Sequence, residues 1–244
     1  KTTVARKAEP KFKIVEGCTA HFVDGKAVWS GARLDGVKLP KSFQGPLVIP
    51  ENVTVVGRYV CKELTQLTEV ILPAGIDTLF CNAFSGCWNL EKINLPEGLI
   101  LIEPYCFEGC LSLKELHIPV SLRVGGGMFL GVPSTTKVTM AEGSKYYVEN
   151  GAVYSKDNCF VRLLSDVEGF TVKDGTKSIG SYAFSKCRNL KKIILPASVD
   201  RIDSFAFDKS ITTIVVSDET VRALLEEERE DNSHLCIYDI VTAE

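Results

Sequence analysis

The chain has 244 residues, 45% of them hydrophobic and 24% charged, and its 28 basic and 31 acidic side chains leave a formal net charge of −3. That is the balance of an ordinary soluble globular chain, long enough to bury a sizeable core without intrinsic disorder or a disulfide scaffold. It gives no long-range attraction for nucleic acid or an anionic membrane, and apolar runs such as Leu99 to Ile102 fall far short of the roughly 20 residues that span a bilayer.

The opening segment from Lys1 to Lys7 has neither an initiator Met nor the apolar core of a signal peptide. It is expected of a chain whose start was removed or one that never carried a leader. Residues 1–33 read as an N-terminal cap in which Phe22-Val23-Asp24-Gly25-Lys26-Ala27-Val28-Trp29 forms a hairpin. From 34 to 140 the chain repeats itself. Pro50, Pro73, Pro96 and Pro119 are spaced 23 residues apart, and the last three close the patterns Leu67-x-x-Val70-x-Leu72, Leu90-x-x-Ile93-x-Leu95 and Leu113-x-x-Leu116-x-Ile118. Strict alternation before each proline predicts a short strand with one buried face. Proline then ends it, having no amide hydrogen to donate.

A second signature sits between successive strands: Ala83-Phe84-x-x-Cys87 and Cys106-Phe107-x-x-Cys110. Its spacing predicts a turn or short helical segment packed against the strand. Ser121 to Met140 keeps a decayed form of the unit, with Met128-Phe129 in the Ala-Phe place and Val138-x-Met140 as the strand. Residues 141–165 interrupt the series, and Tyr147-Val148-Glu149-Asn150-Gly151-Ala152-Val153-Tyr154 reads as two strands about an Asn-Gly turn. Repeats return over 166–216 with Ala183-Phe184-x-x-Cys187, Leu190-x-x-Ile193-x-Leu195-Pro196, Ala206-Phe207-x-x-Ser210 and Ile211-x-x-Ile214-x-Val216. Residues 217–244 read as a C-terminal cap, with a capped helix start at Ser217-Asp218-Glu219 and a last strand over Leu235 to Val241. One unit cannot cover its own apolar face, whereas stacked units can, with parallel strands about 4.8 Å apart.

The two signatures together resemble the BspA-like subclass of leucine-rich repeats (type 5), over roughly residues 34 to 216. The resemblance implies a single α/β solenoid domain of about eight coils by the period arithmetic. Such a domain is a right-handed superhelix with a parallel β-sheet on its concave face, mostly strand and loop with short helical segments. The asparagine ladder of the commonest leucine-rich repeats is not kept: its slot holds Asn52, Gly75, Gly98, Ser121 and Ser198.

The nine cysteines are the first candidates for chemistry. Cys87, Cys110 and Cys187 share one inward slot and Cys106 a small-residue slot, where a free thiol is a good apolar filler. Cys87 and Cys110 lie within disulfide reach on adjacent coils, but buried thiols are the favoured reading. Cys18, Cys61, Cys81, Cys159 and Cys236 have no assigned place. No Cys-x-x-Cys pair points to zinc or redox chemistry. His117 follows Cys110 by seven residues but points outward while Cys110 points inward, and His21 and His234 belong to opposite ends. No catalytic set, metal site or cofactor site is therefore expected. Gly125-Gly126-Gly127 and Gly31-x4-Gly36 lack the context of a phosphate loop and read as turns.

Outward positions of the strands form the candidate surface. One row runs Glu69, Lys92, Glu115 and, if the decayed coil is one residue short, Lys137. The next runs Ile71, Asn94, His117 and Thr139, then Ile194 and Val215, with Lys191 and Lys192 beside Ile194. The candidate binding residues are Glu69, Ile71, Lys92, Asn94, Glu115, His117, Lys192 and Ile194. A self-neutralising charge ladder explains the first row equally well. The expected function is non-enzymatic protein binding. The resemblance implies a secreted or cell-surface adhesive role toward a host or matrix protein. The alternative is an intracellular scaffold or regulator. No nucleic acid and no membrane span are expected.

Overall fold

The structure, a computed structural model, describes Leu39, residues 41–231 and 238–242, and the backbone of the strands at 19–23, 26–30 and 33–34. It is a solenoid of stacked parallel strands with little helix. Each coil contributes two strands rather than one. The principal ladder runs through Gln44–Val48, Gln66–Ile71 and Lys92–Ile93, in parallel register. It continues through Glu115–Ile118 and Lys137–Met140, also parallel, and the step between is carried by the Lys114 amide donating to the Glu91 carbonyl at 3.1 Å. A second ladder of two-residue strands, Arg33–Leu34, Val55–Val56, Thr78–Leu79 and Leu101–Ile102, lies on the other side of the coil.

The repeated residues account for this path. Leu67, Val70 and Leu72, then Leu90, Ile93 and Leu95, then Leu113, Leu116 and Ile118, are all buried. The prolines do more than stop the strand. The carbonyls of Pro50, Pro73, Pro96, Pro119 and Pro196 each accept the amide three residues on, closing the turn that leads to the second ladder. The Ala-Phe-x-x-Cys segment is not helical. It turns through residues with positive φ, Tyr59, Asn82, Tyr105, Tyr182 and Phe205 before the small residue. In most coils a second left-handed position precedes the cysteine slot, as at Glu63, Gly86 and Lys186. Bulky residues rarely hold this conformation alone. Here the stack holds it, since amides such as Phe84 and Phe184 donate to the carbonyls of Cys106 and Ala206 in the next coil, at 3.0 and 2.7 Å. Aromatic rings run through the interior as a column, with Phe84 on Phe107 at 5.9 Å and Phe184 on Phe207 at 5.7 Å.

The N-terminal hairpin forms from Thr19–Val23 and Lys26–Ser30. In the interruption, Tyr146–Glu149 and Ala152–Ser155 pair about Asn150-Gly151, both with positive φ as a two-residue hairpin turn requires. A third strand, Cys159–Leu163, extends this into a meander and then pairs in parallel with Ser178–Ile179, which pairs with Arg201–Ile202. The insertion therefore joins the second ladder and starts it anew. Val153 and Val161 pack into the core before it, whereas Ala152, Tyr154, Phe160 and Leu163 belong to the core after it. Phe160 carries the aromatic column across, 4.6 Å from Phe184. The principal ladder restarts at Gly169–Thr171 and runs through Lys192–Ile194, Thr213–Val216 and Asp239–Thr242. The helix Glu219–Asp231 begins where Asp218 accepts the Thr220 amide at 2.8 Å and buries Val221 and Leu225. Of the predicted last strand, residues 235–237 lie outside the described residues.

Candidate functional site

Parallel pairing places every second strand residue on one outward face, and the register fixes which of them are neighbours. Glu69 stands opposite Lys92, and Glu115 opposite Lys137. The shortened coil thus keeps the row in register. Neither pair closes into a contact ion pair, and among the described residues none of these four side chains has a hydrogen bond or salt-bridge partner, although the charge of Lys92 helps hold the Glu91 carboxyl down. The alternating charges are aligned but not consumed. One position earlier in the coil the charges do meet: Lys114 pairs with Glu91 and holds its carboxyl below the ordinary carboxylate range.

The second row has three parts. Val48 and Ile71 are adjacent in register and 39% and 43% exposed. Asn94 and His117 follow, both exposed, and both are already engaged. The Asn94 amide accepts the Leu72 N–H at 2.6 Å and donates to the Leu72 carbonyl at 2.8 Å, so it stands in for a strand partner where the Lys92–Ile93 strand is too short to supply one. His117 Nδ1 lies 2.9 Å from Thr139 Oγ1. Beyond the meander, Ile194 is flanked by Thr171 and Val215, and Val215 by Val241. Lys192 is exposed between Gly169 and Thr213.

The structure therefore places Glu69, Ile71, Lys92 and Asn94 along one three-stranded sheet, and Glu115 and His117 on a two-stranded sheet joined to it by the Lys114–Glu91 backbone bond. Lys192 and Ile194 lie in a separate sheet, because no strand pairing joins Lys137–Met140 to Gly169–Thr171. Val48 and Val241 are further outward apolar residues of this row. Val48 was legible as the residue two before Pro50, the slot Ile71 holds before Pro73.

Seven described cysteines are free thiols, and Cys18 and Cys236 lie outside the described residues. Cys87, Cys106 and Cys110 are fully buried, and Cys187 is nearly so. Cys61, which the repeat left unplaced, takes the phenylalanine slot of its coil. Its amide donates to Ala83 as the Phe84 amide donates to Cys106, and its carbonyl accepts the Cys87 thiol at 3.0 Å. Burial pushes the thiols of Cys61, Cys106 and Cys110 well up and that of Cys87 to about 12, which keeps them protonated and unreactive.

Between the second ladder and the meander opens a cavity of about 580 Å³ whose walls include Tyr146, Asp157, Cys159, Tyr182, Arg201 and Asp203. No motif in the chain announces it, because residues from four coils and the insertion converge there. Arg201 and Asp203 pair at 3.1 Å. The Cys159 thiol is raised, first by burial, and no histidine lines the wall beside it. Among the described residues no three His, Cys, Asp or Glu side chains come together to hold a metal ion, and no helix is long and apolar enough to cross a membrane.

Two-strand coils with a strand-ending proline and a left-handed Ala-Phe-x-x-Cys turn are a repeat type, and a family profile described as "BspA type Leucine rich repeat region" matches in six copies over residues 41–159 and 154–236. The chain belongs to the BspA-type leucine-rich repeat family. Among solved structures, a leucine-rich repeat protein from Eubacterium ventriosum is similar at 16% identity and a TM-score of 0.60, covering 87% of this chain and 73% of that one. It supports the fold of this BspA-type chain. A leucine-rich cell surface protein from Faecalibacterium prausnitzii is similar at 17% identity, covering 85% and 76% of the two chains with a TM-score of 0.43. The pneumococcal vaccine antigen PcpA is similar at 18% identity, covering 84% and 72%, also with a TM-score of 0.43. No curated protein matches the chain.

Proposed function

We propose that this BspA-type chain is a non-enzymatic protein-binding module, acting at the cell surface or after secretion as an adhesin for a host or matrix protein. The observation that carries the binding site is the outward face, where Glu69 opposes Lys92 and Glu115 opposes Lys137 without ion-pair partners among the described residues, beside exposed Ile71. Rigid strands hold these groups in place before binding, so little ordering cost remains for the protein side of the complex. Aligned but unpaired charges select a partner with the complementary pattern, and the exposed aliphatic side chains supply apolar contact.

Binding to immobilised extracellular-matrix proteins, measured by biosensor, tests this. The double substitution Lys92→Glu with Glu115→Lys reverses the local pattern at constant net charge and is expected to weaken binding at least about tenfold. Ile194→Asp is expected to weaken it if the partner spans both sheets. A partner that binds all variants equally uses another face. Seven free thiols favour a second reading, an intracellular scaffold using the same surface, since thiols persist in reducing compartments. Thiol titration of protein isolated from its native compartment separates the two: a fully reduced set supports the scaffold.

A further inference from the structure

The insertion leaves an unusual residue at its seam with the returning repeats. Arg162, on the strand Cys159–Leu163, is only 5% exposed. Its Nη1 donates to the Tyr182 carbonyl at 2.6 Å, while its Nε is enclosed and has no partner. The side chain lines a cavity of about 270 Å³ between the turns at Val132 to Ser134 and Cys187 to Asn189. Burial pulls the guanidinium below its ordinary pKa, yet an arginine stays charged. The charge of Asp208 acts on the guanidinium without a direct ion pair, and solvent cannot repay the enclosed donor.

The acids nearby keep their charge but hydrogen-bond elsewhere. Asp208, whose charge acts on Arg162, accepts the amides of Lys186 and Ser210 at 2.8 and 3.0 Å. Asp166 accepts the Asn189 amide at 3.0 Å. Lys186 is paired with Glu108. Among the described residues, Arg162 and Arg188 are the cations of this wall left without an ion pair. The insertion is also what opens the space. Cys87 and Cys110 donate to carbonyls of the preceding coil, at 3.0 and 3.3 Å, but Cys187 has the meander before it and turns to Ser185 of its own coil at 3.8 Å.

We propose that this cavity is a carboxylate-binding site, in which Arg162 takes the anion at depth and Arg188 stands at the mouth. With Nη1 occupied and Nε enclosed, Nη2 is the donor left to the cavity, and one carboxylate oxygen takes it in a charge-assisted hydrogen bond. A singly charged group balances one buried guanidinium. A phosphate dianion would bring excess negative charge beside Asp166 and Asp208. The carboxylate comes either from a small organic acid or from an acidic side chain of a bound protein. The site is separate from the sheet face, and either can fail alone.

Nuclear magnetic resonance of the Arg162 Nε–Hε group, assigned through bonds in the wild-type chain, tests this by titration at fixed ionic strength. The probes are sodium acetate, the capped dipeptide acetyl-Ala-Glu-amide, its Gln counterpart and inorganic phosphate. Saturable movement with acetate but not with the Glu peptide supports a free acid, and movement with both supports a protein-borne carboxylate. Arg188→Ala is expected to weaken either about threefold, as loss of an exposed ion pair does. Arg162→Met fills the same volume without charge and is expected to abolish binding read by calorimetry. The proposal is overturned by no saturable movement with either carboxylate, by equal response to the Gln peptide, or by tighter binding of phosphate.

Discussion

Cys87 gives a direct test of how the interior is filled. Its thiol is wholly buried, and burial raises it from an ordinary 9.0 to about 12, with a hydrogen bond to the Leu64 backbone pulling it back slightly. Below about pH 9 the folded and unfolded chains both hold the proton and the group adds no pH dependence. Above that, the unfolded thiol ionises while the folded one does not, so the unfolded chain binds fewer protons and stability falls with pH until about 12. The slope is at most about 1.4 kcal/mol per pH unit, so Cys87 alone removes about 1.4 kcal/mol near pH 10. Cys61, Cys106 and Cys110 are raised first by the same burial and act in the same direction. The contribution of Cys87 alone is already a measurable part of a typical domain stability of about 5 to 15 kcal/mol. The assay is urea unfolding of the reduced protein between about pH 7 and pH 10, for the wild type and Cys87→Ala. At neutral pH the variant is expected to be less stable by about 1 kcal/mol, the cost of a small cavity. That gap closes or reverses near pH 10, because the variant has one fewer thiol to keep protonated. Tyr154 and Lys173, both raised, also lose stability at high pH but cancel in the difference. Curves that stay parallel across this range would refute the reasoning, as would folded-state thiolate absorbance near pH 9 that Cys87→Ala removes.

Two further substitutions probe the architecture. Asn94→Ala removes both amide hydrogen bonds to the Leu72 backbone and is expected to cost about 1 to 2 kcal/mol in chemical unfolding, so an unchanged midpoint would mean that water replaces the amide fully. Gly126→Ala puts a methyl group 2.4 Å from the Ser181 carbonyl oxygen and 2.9 Å from that of Val161, both backbone atoms of the seam. It is expected to destabilise by about 1 to 3 kcal/mol, whereas Gly125→Ala, with open space around its added carbon, stays within about 0.5 kcal/mol; equal effects would show that the seam yields.

Legibility along the chain follows how local each feature is. Pro50, Pro73, Pro96 and Pro119 mark the ends of strands because a missing amide hydrogen acts at its own position. The Asn150-Gly151 turn is equally local, since two left-handed residues suffice to set a hairpin. Cys159–Leu163 was harder to see, because its strand character depends on partners at Ala152–Ser155 on one side and Ser178–Ile179 on the other. The same limit hid the use of Asn94. Its place in the outward row is sequence arithmetic, but its two bonds to Leu72 exist only because the neighbouring coil presents that backbone.

By itself the sequence determined the repeat, the inward and outward alternation and the burial of Cys87, Cys106, Cys110 and Cys187. Each follows from a 23-residue period acting on a chain that cannot cover one coil's apolar face alone. Tertiary structure alone decided that Lys192 and Ile194 stand in a different sheet from Glu69 and Ile71, and that the Arg162 Nε is enclosed without a hydrogen-bond partner. Both depend on where the insertion docks. Docking is a contest between its two faces for two different cores, and no period in the chain encodes the outcome.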